Sequence, residues 1–331
     1  MSAPASVVMR RVDRDESGMR VDRWFKEHYP GLGFGHLQKL LRSGQVRVDG
    51  GRVKTSTRLI AGQEVRVPPL ATGDVRPQTK ATIRDRRDVD VLNEALLYED
   101  SQVYVFNKPA GLAVQGGSGV NRHVDGMLEA LRDRQGRKPR LVHRLDRDTA
   151  GVLVVARTRS AAAFFGKAFK ERESRKFYWA LVKGVPKPPQ GKISTFLVRG
   201  EGDDAERMRV ARHGERGADH ALSHYAVADQ AGSRLSWLVM RPVTGRTHQL
   251  RAHAAHIGNP IIGDSKYFDV ENWELPGGIQ NRLHLLARRI ILPHPTGGTL
   301  DVTAPLPPHM AQSWAVLGFD ETGAEAAAEA V

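Results

Sequence analysis

Leu141-Val142-His143-Arg144-Leu145-Asp146-Arg147-Asp148-Thr149-Ala150-Gly151-Val152-Leu153-Val154-Val155 sets a carboxylate, Asp146, between two arginines just ahead of an unbroken apolar run. The run after Ala150 is short and valine-rich, which reads as a buried strand. An acid between two guanidiniums at the start of such a strand suits a nucleophile, or a member of a polyanion-binding site. The plainer reading is an ion pair at a strand edge. Asp148, two residues on, would share a face with Asp146 if the segment stays extended.

Around this segment the pattern alternates without a regular βαβ repeat. Val103–Phe106 reads as a strand stopped by Lys108-Pro109-Ala110-Gly111, and the loop Gln115-Gly116-Gly117-Ser118-Gly119 leads to a helix around Val124 to Arg134. Ser160 to Glu171 is expected to be a helix with Ala162, Phe165, Ala168 and Phe169 inward. Strands are expected at Phe177–Val182, Ile193–Val198, Leu222–Ala228 and Leu235–Pro242, and a helix at Thr247–Ile257. The fold class is α+β, with a mixed, largely antiparallel central sheet flanked by helices and loops.

The amino-terminal part is different in character. From Arg20 to Arg66 there are ten Lys or Arg against four Asp or Glu, a net charge of +6. Val21, Trp24 and Phe25, then Leu37, Leu40 and Leu41, recur at helical spacing. The alternating Gln45–Asp49 ends in an Asp-Gly turn and Glu64–Val67 closes on two prolines, so two helices precede a small β element. The expected organisation is a flexible arm (1–17), a small basic domain (18–67), a charged linker (68–94), a large domain (95–310) and a tail (311–331). The acidic, Ala-rich end of that tail reads as disordered.

The whole chain of 331 residues carries a formal net charge of +13, which favours a polyanionic partner and nucleic acid first. It has no cysteine, so disulfides, thiolate nucleophiles and Cys-ligated zinc are excluded. No apolar run approaches a membrane span, and Met1 to Ser17 lacks a signal-peptide core. A soluble, cytoplasmic protein is expected, with a monomer as the default.

Four blocks in order, Asn107-Lys108-Pro109-Ala110-Gly111, His143 to Thr149, Lys176-Phe177-Tyr178-Trp179-Ala180-Leu181-Val182-Lys183-Gly184 and Thr244-Gly245-Arg246-Thr247-His248-Gln249-Leu250-Arg251-Ala252-His253, resemble the RluA-type RNA pseudouridine synthases. The basic amino-terminal unit resembles an S4 RNA-binding domain. The loop Ala113 to Gly119 is most similar to that of the RluC branch, whose members modify 23S rRNA. Ala150 stands where the family usually has Ser, Asp219 and Ser223 lie where Gly-Lys is frequent, and Leu275 to Asn281 looks inserted. These departures bear on substrate contacts and leave the carboxylate untouched.

The resemblance implies a reaction that cuts the glycosidic C–N bond of uridine, turns the base over and rejoins it through C5. It implies no metal, redox cofactor or nucleotide, in keeping with a sequence lacking a Walker loop and a dinucleotide fingerprint. Asp146 would be the nucleophile, Tyr178 the residue stacked on uracil, and Arg246 the carboxylate's partner. Arg144 would fill the space left by an extruded base or hold a phosphate, Leu250 would wall the base pocket, and Arg251 would contact phosphate. Arg23, Lys39, Arg42, Arg47 and Lys54 of the S4-like unit would bind the RNA backbone. His143 is expected to be structural, with Lys108 and Pro109 as scaffold. His248, His253 and His256 lack an acidic partner at ligand spacing, so metal binding is not expected. A tRNA-acting relative and a non-catalytic S4-type assembly factor stay open as alternatives.

Overall fold

The computed structural model describes residues 6–29, 31–70, 83–117, 120–133, 136–202, 205–268 and 273–331. The centre of the expected linker and Ser118-Gly119 of the glycine-rich loop lie outside the described residues. The chain divides into two units, Met1–Arg84 and Asp85–Val331.

In the first unit β1 (Val8–Arg11), α1 (Val21–His28), α2 (Phe34–Arg42), β2 (Arg47–Val48), β3 (Gly51–Arg52) and β4 (Glu64–Val67) form two helices and an antiparallel sheet ordered β1-β4-β2-β3. The apolar stripes at Val21, Trp24, Phe25 and Leu37, Leu40, Leu41 meet Val46, Val48, Leu59, Val65 and Val67 in one core. The expected arm over 1–17 is thereby corrected. Its residues 8–11 pair with β4, which is contributed from far along the chain and gives no local signal. Glu16 in the same stretch accepts from the Trp24 indole at 2.9 Å and pairs with His28. Burial opposes its ionisation, but those bonds, the Asp13 amide and the His28 charge outweigh burial and bring its pKa down to about 2.

The boundary falls within α3 (Ile83–Glu94), most of which belongs to the second unit, where the sequence suggested linker. Leu92 is buried, and Arg122 donates to Asp88 at 3.0 Å. The remaining elements are β5 (Leu96–Glu99), β6 (Val103–Lys108), α4 (Val124–Met127), β7 (Arg140–Leu141), β8 (Ala150–Ala156), α5 (Arg159–Lys170), β9 (Arg175–Lys183), β10 (Gln190–Arg199), β11 (Met208–Ala211), β12 (Asp219–Ala231), β13 (Leu235–Pro242), α6 (Gln249–His256), β14 (Leu285–Pro293), β15 (Thr299–Thr303), α7 (Pro308–Leu317) and α8 (Ala324–Glu329). They build an eleven-stranded sheet ordered β11-β10-β12-β13-β9-β14-β8-β6-β5, with β15 on β14 and β7 on β8. Its pairings are antiparallel except β14 with β8. The mixed, mostly antiparallel sheet is the one the sequence pattern predicts.

All seven residues of β8 are buried because the sheet is covered on both faces. Val152 and Val154 join one core with Phe165, Trp179 and Trp237, while Leu153 and Val155 pack with Phe106 and Leu128 on the other side. The same parity on β9 sends Trp179 and Leu181 one way, and Tyr178, Ala180 and Val182 toward α6. Gly151 sits at a φ of +111°, and a Cβ there would lie 2.2 Å from the Ala287 carbonyl oxygen. Only glycine lets β14 run this close beside the strand that follows Asp146.

The expected helix over 124–134 is shorter: α4 gives way to a 3-10 turn at Leu128–Leu131. The tail is also corrected, since α7 and α8 pack on the main core through Met310, Trp314, Ala324 and Ala327. Arg288 clamps Glu321 at 2.6 Å. Alanine is the best helix former, so a composition that looks low in complexity encodes a small-faced helix instead. Among the described residues no helix is long and apolar enough to cross a membrane.

Two outcomes follow from this packing. Deleting residues 320–331 uncovers the core and should lower the thermal midpoint of the large unit by several degrees, about 1–2 kcal/mol; an unchanged midpoint would mean a free tail. Glu16 is depressed in the folded state, so its stabilisation is present above the ordinary glutamate value of about 4.5 and fades as pH falls toward about 2. Glu16→Gln should therefore remove part of the acid sensitivity of the small unit's unfolding, read by Trp24 fluorescence.

Candidate active site

A cleft of about 630 Å³, its open mouth included, lies where the loop before β8, the first half of β9 and the turn into α6 converge. Asp146, Tyr178, Arg144, Arg246, Leu250 and Arg251 all line it, as do Lys176 and His248. Six residues separated by more than a hundred positions in sequence are thus brought together by the order of strands β8, β14 and β9.

Asp146 sits in the irregular loop ahead of β8, partly open to the cleft, with 19% of its side chain exposed. The loop is held from below by Lys108, an almost fully buried ammonium that donates to the carbonyls of Pro109 at 2.9 Å, Leu112 at 2.8 Å and Arg147 at 2.9 Å. Burial lowers the Lys108 pKa to about 7, against the opposing charges of Asp148 and Asp146. His143 accepts the Val154 amide at 2.8 Å, and burial followed by the Lys176 charge pushes its pKa down to about 3, so it stays neutral. Because the segment is not extended here, Asp146 and Asp148 do not share a strand face.

The two arginines of the fourth block exchange the places that the sequence suggested. Arg246 lies in the turn before α6, at the rim, where it donates to the exposed Asp219 at 3.1 Å and to the His220 carbonyl at 3.1 Å. Arg251 points inward from the first turn of α6 and is 3% exposed. Its Nε and Nη2 grip the fully buried Asp264 at 2.7 and 2.6 Å, leaving Nη1 3.8 Å from the Asp146 carboxylate. Burial alone would weaken the guanidinium; the bonds to Asp264 and the charges of both carboxylates offset this and raise its pKa. Arg246 as partner of Asp146 is therefore corrected to Arg251, and Arg251 is too enclosed to be a surface phosphate contact. The turn explains the exchange: His248 adopts a left-handed φ of 50°, and α6 begins only after it.

Gln249 fixes that turn by accepting from the Thr244 hydroxyl at 2.7 Å and the Arg246 amide at 3.0 Å. Its amide nitrogen donates to the Leu222 carbonyl and the Ser223 hydroxyl, both at 2.9 Å. His253 is buried against Ser223 and Thr195 at 3.0 and 2.9 Å, and His248 faces the Tyr267 hydroxyl at 3.2 Å. Tyr178 is enclosed between the two cores, with burial and then the nearby Asp146 charge raising its pKa, so its hydroxyl stays protonated. Leu250 is buried in the same cluster.

Asp264, Gln249 and Lys176 were not singled out by sequence reasoning. The one signal for Asp264 is the glycine before it: Gly263 has a φ of +70°, and a Cβ there would lie 2.0 Å from the Arg282 carbonyl oxygen.

The cleft thus brings together a partly exposed carboxylate, a buried and doubly held guanidinium and a protonated tyrosine. The chain belongs to the RNA pseudouridylate synthase family, within its RluA type: residues 102–256 match the family described as RNA pseudouridylate synthase. It is 36% identical over 307 residues to the ribosomal large subunit pseudouridine synthase C of Escherichia coli (strain K12), covering 91% of this chain and 93% of that protein. It is 37% identical over 317 residues to the protein of the same name from Pasteurella multocida (strain Pm70), covering 92% of each. Among solved structures it is similar to human RNA pseudouridylate synthase domain containing 4, at 28% identity and a TM-score of 0.60 over 72% of this chain and 98% of that one. Human RNA pseudouridylate synthase domain containing 1 gives 28% identity and a TM-score of 0.52 over 66% and 86%.

Asp264→Ala leaves the Arg251 guanidinium buried with only a distant partner. The expected loss is about 3–5 kcal/mol of stability, the usual cost of breaking a buried pair from one side. Urea unfolding measures it, and a loss below about 1 kcal/mol, typical of an exposed pair, would show that the pair is not sealed from water.

Proposed function

We propose that the chain isomerises uridine to pseudouridine in the RNA of the large ribosomal subunit, 23S rRNA in a bacterial ribosome, and that it works in the cytoplasm as a monomer. The observation that carries the chemistry is the Asp146 carboxylate, open to the cleft and 3.8 Å from a guanidinium already anchored elsewhere. Asp146 can add to the ribose or the base carbon while Arg251 balances its charge. Tyr178 offers a flat face for the uracil ring and a protonated hydroxyl. Arg144, exposed at the mouth, is placed to occupy the space left by the extruded base or to hold a phosphate; extrusion itself costs about a few kcal/mol. Arg246 is at the rim with it and serves the backbone instead of the carboxylate. No residue of this set requires a cofactor.

The substrate reading rests on the names of the two bacterial relatives and on the match along nearly the whole chain. RNA affinity is assigned to the small S4-like unit. Arg23, Lys39, Arg42, Arg47 and Lys54 are all exposed there, although Arg47 already spends donors on the Gly44 and Gly50 carbonyls. Such contacts weaken steeply with salt.

Asp146→Asn should reduce pseudouridine formation by ~10⁴-fold or more, as loss of a nucleophile does. RNA affinity should stay within about tenfold, ~1.4 kcal/mol. Carbodiimide primer-stop mapping of the host's large-subunit rRNA, with and without the protein, reads the product. Pseudouridine made by the variant, or made in tRNA and not in rRNA, would contradict the proposal.

A further inference from the structure

Lys176 is the cleft's unexplained charge. It lies two residues before Tyr178 on β9, so strand parity turns both side chains to the same face, and both line the cleft. Arg251 is matched by Asp264 and Arg246 by Asp219, while Arg144 is exposed to water. Lys176 is half-buried, and among the described residues it has no carboxylate or hydrogen-bond acceptor within reach of its ammonium. Its surroundings are the Phe169 ring, 5.0 Å from Nζ, and the neutral His143, whose ring packs on Phe169 at 4.9 Å. Burial is the single influence on its pKa, which is lowered. A half-buried cation whose neighbours are rings and not carboxylates keeps its charge free to meet an anionic ligand in the cleft.

We propose that Lys176 is the counter-charge for the uracil ring while the ring is negatively charged during the isomerisation. This deepens the proposed function and rests on it. If Asp146 acts at the ribose, the C1′–N1 bond breaks with its electron pair going to the base. The detached uracil is then an anion spread over N1, O2 and O4. The Asp146 oxygen bonds C1′ as N1 leaves, and the pair returns when C5 bonds to C1′ and displaces the Asp146 carboxylate. C5 then loses its proton and N1 gains one, so the reaction is an isomerisation. If Asp146 instead adds to C6, the C5–C6 π pair is pushed toward O4, and the same carbonyl edge becomes negative. Either route places an anion in front of Tyr178. A partly desolvated ammonium beside that residue stabilises a developing charge far more than water would. The phosphates of the extruded nucleotide stay with the backbone at the mouth, where Arg144 and Arg246 are exposed, so they do not account for the less exposed Lys176.

The test is Lys176→Met, which keeps the aliphatic stem and removes the charge, measured with the full chain and host large-subunit rRNA or a fragment bearing the modified site. The expected single-turnover rate falls ~10²–10³-fold, the loss typical of one charge-stabilising donor. The Kd for RNA should change by less than about threefold, ~0.7 kcal/mol. On RNA carrying 5-fluorouridine, whose ring accepts negative charge more readily, glycosidic cleavage should suffer at least about tenfold less from the substitution, ~1.4 kcal/mol. Lys176→Arg should recover part of the rate. An unchanged rate overturns the proposal. So does weaker binding at unchanged rate with a salt slope reduced by about one, the mark of a phosphate contact. An equal loss on both substrates overturns it too, since that marks a structural role. Should the methionine variant fail to fold by circular dichroism, Lys176→Gln carries the same comparison. A parent chain inactive on rRNA would refute the proposed function itself, whereas an active parent matched by the variant refutes the role of Lys176 alone.

Discussion

The site depends on a guanidinium shared unequally between two carboxylates. Arg251 gives its two-pronged grip to Asp264, which no water reaches, and only its remaining amino group turns toward Asp146. A carboxylate bound in the bidentate mode has its lone pairs occupied and its position fixed. One at 3.8 Å receives the electrostatic benefit and keeps its oxygen free to react. On the proposed function, the asymmetry separates a structural ion pair from a catalytic one within a single cluster.

The rest of the fold reads as the means of holding that cluster. Two glycines permit main-chain approaches that any side chain would block: Gly151 lets β14 pair in parallel with β8 behind the Asp146 loop, and Gly263 presses the Asp264 turn onto Arg282. Lys108 ties the loop after β6 to the one carrying Asp146 through three carbonyls, and Gln249 ties the turn into α6 to β12. Every support is a main-chain contact or a hydrogen bond satisfied at both ends, as a buried polar frame requires. The base-facing side, by contrast, is left with charge to spare.

Much of this was legible in the chain. The Ala150–Val155 run, the helix after Thr158 and the strand Leu235–Pro242 follow from periodicity, because each buries its apolar residues in register with its own geometry. The residues that gather in the cleft follow from family motifs. What the sequence hid were pairings between distant segments. Nothing near Arg246 or Arg251 tells which one faces Asp146; that is decided by a left-handed His248 and by an aspartate thirteen residues beyond Arg251. The edge strand at Val8–Arg11 and the alanine-faced helix at Ala324–Glu329 were read as loose for the same reason, since their partners lie elsewhere in the chain. Lys176 stands at the head of a family block, but the motif gives it no role and its surroundings come from segments distant in the chain.

The most direct test is a crystal structure of the chain with an RNA containing the modified site. The account expects the target uridine out of the stack, its ring on Tyr178, and the reacting carbon about 3–3.5 Å from an Asp146 oxygen. Arg251 should still be clamped by Asp264. A uridine seated with Asp146 turned away, or with Arg246 in place of Arg251 against that carboxylate, would contradict it.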